Sequence, residues 1–247
     1  LMVGGDIETA EILMADRLRE RGEKIDCIFI HHPEGRALAD LDKVMGMQID
    51  LLAGLGVPVN HSEAQLKPRM DRIWRAIHAD NLFRTERAAE LMGIPAFCCH
   101  TVTDNLVWRM IEKDICAKPF DDLREIINAL LEIPEYKYYA KKGNPPIVVQ
   151  GSEKNRPGKV VATEFTGGTN GPEEFLKAQA QAGVGTILTM HATERTLSPG
   201  MYSRSEKYSS PTRLLRSNAP WSPVPAASLG MPARISAALG CTTTSAG

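Results

Sequence analysis

Histidine is the commonest metal ligand among side chains, and this chain has only six: His31, His32, His61, His78, His100 and His191. Three of them close a short apolar run. The run 25–30 ends at His31, the run 94–99 at His100, and the run 184–190 at His191. Carboxylates stand close behind two of these, Asp104 four residues after His100 and Glu194 three after His191. Imidazole with carboxylate suits zinc, manganese, iron, nickel or cobalt. A set rich in carboxylates and free of cysteine allows two ions about 3.5–4 Å apart, bridged by a water that becomes a nucleophile near neutral pH. His31–His32–Pro33 adds a constraint. Adjacent side chains on an extended segment point to opposite sides, so both histidines serve one site only where strand has become loop, and Pro33 keeps His32 extended. Taken singly, each residue also has a plainer reading: a polar strand end, an Asp104 that caps a helix, a solvated Glu194. His61, read as loop, and His78, read as helical, are taken as structural.

Convergence of these side chains needs a scaffold. Short apolar runs alternating with helical patterns point to an α/β fold with a mostly parallel sheet, buried on both faces by helices. The C-terminal ends of its strands then share the edge where open α/β sheets bind ligands. Apolar spacing predicts helices over 8–21, 40–55, 69–92, 101–115, 121–131 and 172–182. In the long 69–92 helix, Ile73, Trp74, Ile77, Leu82 and Leu91 are the core candidates. Further strands are expected at 147–150, 159–165 and 1–4. The glycine-rich stretch 167–172 reads first as a tight turn and second as an anion cradle; it has no P-loop lysine.

Composition removes several classes of function. A chain of 247 residues with 43% hydrophobic and 24% charged residues is that of an ordinary globular protein. A net charge of −1 leaves no basic field for nucleic acid. No run approaches the eighteen or so apolar residues of a membrane helix, and no signal peptide is evident, so a cytoplasmic protein is expected. Five cysteines, an odd number without a CxxC pair, read as free thiols. Residues 1–195 form the expected α/β domain. Residues 196–247 form a basic tail in which 16 of 52 residues are Ser or Pro and Glu206 is the single acid. No helix or strand period is legible there, and it reads as a tail, an arm or a segment ordered only by contacts; a divergent or out-of-frame terminus is a further hypothesis. The chain opens at Leu1 directly in an apolar run, so upstream sequence is expected to be missing.

His31–His32–Pro33, then His100–Thr101–Val102–Thr103–Asp104, then His191–Ala192–Thr193–Glu194, each after a strand, resembles the NIF-three-like (NGG-one-interacting-factor-three) family. Gly5–Asp6 before a helix, and Thr166–Gly167–Gly168–Thr169 before another, are similar as well; the resemblance spans roughly residues 1 to 195. It implies a layered NIF-three-like fold around a dinuclear site for two divalent ions, with zinc, iron or manganese the foremost candidates. His31 and His32 match the paired histidines, His100 and Asp104 the HxxxD pair, and His191 and Glu194 the closing pair. That closing pair is usually four residues apart in the family and is three apart here. The resemblance further implies a toroidal homohexamer. Some members are labelled GTP cyclohydrolase I type 2, which implies a hydrolase with metal-bound hydroxide as nucleophile and a small-molecule substrate. The alternative is a metal-binding oligomeric scaffold or regulator without turnover.

Overall fold

A computed structural model describes residues 1–191 and the backbone of 213–216. The first half of the chain runs β1 (Met2–Gly4), α1 (Thr9–Glu20), β2 (Ile28–Ile30), α2 (Gly35–Ala39), α3 (Leu41–Val44) and α4 (Met47–Gly54). It continues through α5 (Val59–Ile77), α6 (Arg84–Leu91) and β3 (Ala96–Cys98). Helix α7 (Thr101–Ile111) follows, prolonged by a π-helical turn at Glu112–Cys116, then α8 (Leu123–Leu131) and α9 (Pro134–Lys141). The last elements are β4 (Ile147–Gln150), β5 (Lys159–Glu164), α10 (Glu173–Gln181), β6 (Val184–Thr189) and β7 (Arg213–Arg216).

The layered α/β arrangement is the expected one, with the parallel strands divided between two sheets. β1, β2 and β3 form a three-stranded parallel sheet in that order. The second sheet has the order β4-β7-β6-β5, parallel except where β4 meets β7. Alternation along the strands sorts the core. Ala162 and Leu188 turn, with Phe165, toward Ile111, Ile115, Leu123, Ile126 and Leu130 of α7, its π-helical extension and α8. Val161 and Ile187 pack with Leu176 of α10. The second sheet is thus covered on both faces. The first is covered on one, by α1 and α6 through Ile12, Ala15 and Ala89. Its other face carries the row Val3, Phe29 and Phe97, of which Val3 and Phe97 stay exposed.

Three local expectations change. The helix expected over 69–92 is two helices: α5 begins ten residues earlier and passes through Pro68, and the chain turns between α5 and α6 at a segment holding Asp80 and Asn81, side chains that favour turns. Trp74 and Leu91, read as core, are 48% and 83% exposed, whereas Leu66 is buried. His61 consequently lies in α5, and His78 caps its end. The helix expected over 40–55 is divided into α3 and α4 at Met45–Gly46, and Met45 and Leu52 enter the core. Strand β7 lies in a segment where no period was legible, because four residues are too few to display one. The rest of the tail lies outside the described residues.

Gly167 shows how tightly one connection is built. It adopts φ +94°, which disfavours any L side chain, and an added Cβ would lie 2.6 Å from Gln48 Cγ. Buried Gln48 donates from Nε2 to the carbonyls of Gly167 at 2.9 Å and Thr169 at 2.6 Å. Gly167→Ala is expected to cost about 2 kcal/mol, a fall in Tm of about 4–8 °C for a domain of this size. Calorimetry checks it, and an unchanged Tm would mean the loop can move aside.

Candidate metal centre

Two neighbouring strands and one helix bring the first group together. In the first sheet Gly4, Ile30 and Cys98 stand in register, and the ladder runs on beyond them. The N–H groups of His31 and His32 donate to the carbonyls of Gly4 at 3.0 Å and Gly5 at 2.9 Å, and that of Cys99 to Ile30 at 3.0 Å. His31 and His100 therefore emerge side by side at the C-terminal edge, their rings stacked with centroids 4.7 Å apart. His100 is the N-cap of α7, and the Asp104 N–H donates to its carbonyl at 3.0 Å. A four-residue step along a helix returns to the same face. Asp104 Oδ2 accordingly comes 3.1 Å from His100 Nδ1, and Oδ1 comes 3.4 Å from His31 Nε2. His32 completes the cluster: one ring nitrogen from each of His31, His32 and His100 lies within 4.8 Å of the others.

Hydrogen bonding assigns the His31 tautomer. The Thr103 hydroxyl is 2.7 Å from both the Cys99 and His100 carbonyls, which can only accept. Its single proton points to them, so its oxygen, 3.1 Å from His31 Nδ1, accepts from Nδ1–H. With the proton on Nδ1, Nε2 is the acceptor nitrogen of the ring and lies 3.4 Å from Asp104 Oδ1. Burial, reinforced by the neighbouring His100 and His32, lowers the His31 pKa to about 3. Burial, then His32 and His191, lowers that of His100 to about 4. The Asp104 side chain is 2% exposed, and burial raises its carboxyl to about 7. Asp104 Oδ1 and His100 Nδ1 are buried without a hydrogen-bond partner. Buried polar atoms without partners are costly, and a cation standing between Asp104 Oδ1 and His100 Nδ1 would satisfy both.

The second sheet contributes from across the junction. Thr166, just past β5, donates to Asn105 Oδ1 at 2.5 Å, and the Ala162 N–H to Glu112 Oε1 at 2.8 Å. Both acceptors lie on α7 or its extension, so this element joins the sheets. His191, two residues past β6, is exposed, and its charge is felt by His100. The Thr189 hydroxyl donates to the His191 carbonyl at 2.7 Å. The glycine-rich loop holds an internal carboxyl: Glu164, whose pKa is raised by burial, accepts from Asn170 Nδ2 at 2.8 Å and from the Gly171 N–H. Glu194 lies outside the described residues. His61, beside Gln65, and His78, stacked on Trp74, do not belong to the cluster.

Two contributors carry no sequence signal of their own. Thr103 is an ordinary helix residue until its i−4 and i−3 carbonyl contacts turn its lone pair toward His31. Asp6, whose Oδ1 is 2.5 Å from His32 Nδ1, is 26 residues away in sequence. The Gly5–Asp6 pair entered the resemblance, but nothing local links it to His32.

No protein-family model matches the sequence, and no curated protein matches it. Among solved structures, the crystal structure of a NIF3 superfamily protein from Sphaerobacter thermophilus superposes with a TM-score of 0.71. Identity is 24%, over 88% of this chain and 76% of that one. With its two-sheet layering and the histidine cluster at the strand ends, the chain has the NIF3 superfamily fold.

Proposed function

We propose that the protein is a metal-dependent hydrolase with a dinuclear divalent site held by His31, His32, His100, Asp104, His191 and Glu194. The observation that carries this reading is the pair of buried atoms without a hydrogen-bond partner, Asp104 Oδ1 and His100 Nδ1, in a cluster where one ring nitrogen from each of His31, His32 and His100 lies within 4.8 Å of the others. Neutral imidazoles and a carboxylate are the ligands that zinc, iron or manganese take. When bound, such ions supply Lewis acidity that activates water and polarises a substrate oxygen. The chain's own groups do the rest. Thr103 holds His31 in one tautomer, the first sheet and α7 exclude water behind Asp104, and exposed His191 stands at the open side, where a small-molecule substrate would arrive. GTP cyclohydrolase-like opening of a nucleotide ring, or hydrolysis of an ester, fits this division. The reading includes a homo-oligomer, a hexamer by the resemblance; exposed Val3 and Phe97 are apolar surface that assembly would cover. Among the described residues no helix is long and apolar enough to cross a membrane.

The test is a hydrolysis screen with nucleotides and esters, run on protein stripped by chelator and reloaded with zinc, manganese or iron. Turnover lost on stripping and regained on reloading is expected. Ion uptake with no turnover on any substrate class would make the chain a metal-binding scaffold instead.

A further inference from the structure

We propose that Asp6 is a positioning residue that aims the His32 ring at the metal centre; the inference rests on the metal-binding reading and adds a residue to it. Of the three clustered imidazoles, His32 is the one that packing does not hold. Its side chain is 45% exposed, against 3% for His31 and 16% for His100. Its orientation depends on the Asp6 carboxylate, 2.5 Å from Nδ1. An ionised carboxylate only accepts, so the proton sits on Nδ1 and Nε2 keeps its lone pair. A carboxylate behind a histidine is a common way to set the tautomer and ring angle of a metal ligand.

The Asp6 loop is pinned on both sides. Gly4 and Gly5 are tied through their carbonyls to the N–H groups of His31 and His32. Ile7 is buried in the core against α1. Between these anchors the chain doubles back so closely that a Cβ on Gly4 would collide with the Ile7 side chain. Asp6 is left at the tip, facing His32. It has no part in starting α1, where Glu11 accepts from the Glu8 N–H at 2.8 Å. Its side chain is 83% exposed, and ion pairs as open as this add little to folding. A role in stability does not account for Asp6, whereas a role in orientation does.

The experiment compares wild type with Asp6→Ala and the conservative Asp6→Glu. Long-range nitrogen–proton spectra of the metal-free protein report which His32 nitrogen carries the proton, and competition with a chromophoric chelator reports zinc affinity. In wild type the proton is expected on Nδ1. In Asp6→Ala that preference is lost and zinc affinity falls by about 10–100-fold, recovering in Asp6→Glu, with the Tm of the metal-free protein unchanged. Zinc affinity in Asp6→Ala equal to that of wild type would overturn the proposal. So would a wild-type His32 protonated on Nε2, or a fall in metal-free Tm that accounts for the lost binding. Should wild type bind no zinc, the metal reading fails, and the tautomer comparison still decides whether Asp6 orients His32.

Discussion

Asp104→Asn is expected to make the metal-free protein more stable at pH 8 while abolishing its metal binding. Burial raises the Asp104 carboxyl from 3.8 to about 7, so the folded state holds this proton more tightly than the unfolded state does. The contribution to stability is therefore complete below pH 3.8 and is lost as pH rises to about 7. Above that, the metal-free fold carries a buried charge. At about 1.4 kcal/mol per pKa unit the cost is about 4 kcal/mol. Asparagine removes the charge but leaves an amide poorly paired, at roughly 1–3 kcal/mol, so a net gain of about 1–3 kcal/mol is expected. The histidines act in the opposite direction. Lowered from 6.5 to about 3 and about 4, His31 and His100 cost stability as pH falls below 6.5 through those values, in wild type and variant alike. The difference between the two proteins should open between about pH 4 and pH 7 and stay level above. Urea unfolding across that range, with chelator present, measures it. An asparagine variant no more stable than wild type at pH 8 would mean that the charge at Asp104 is not buried.

His31→Ala is expected to weaken metal binding on the order of 100-fold, whereas His191→Ala, on the proposed dinuclear reading, lowers the stoichiometry from two ions toward one. Structural zinc sites bind with about 10–16 kcal/mol shared among four ligands. One ligand is then worth about 3 kcal/mol, on the order of 100-fold in affinity. His31 is buried, with its tautomer set by Thr103. His191 is exposed and comes from the second sheet, where its loss leaves the first cluster intact. Elemental analysis after chelator washing and reloading counts the ions. Equal losses in both variants would point to a single ion shared by the two sheets, and full loading of His31→Ala would refute the assignment of the centre.

The side chains that the structure brings together, His31, His32, His100 and Asp104, were legible in the sequence because their signals are local. An apolar run followed by histidine marks a strand end whatever the strand pairs with, and the step from His100 to Asp104 is one helical turn wherever that helix packs. The layered α/β class followed from the same alternation of runs and helical periods. Pairing was not legible. Parallel neighbours are chosen by contacts far apart in sequence, so nothing local shows that β1–β3 close one sheet and β4–β7 another, or that α7 joins them. The helix break between His78 and Phe83, and the exposure of Leu91, escaped for a related reason: hydrophobic spacing describes a face, and only the assembled fold determines whether anything covers it. The tertiary structure also decided the chemistry of the donors. Proton affinity depends on the solvent and charge removed around a group. The residue types set which atoms could bind a cation, and burial against the first sheet and α7 left His31 and His100 neutral and Asp104 reluctant to ionise.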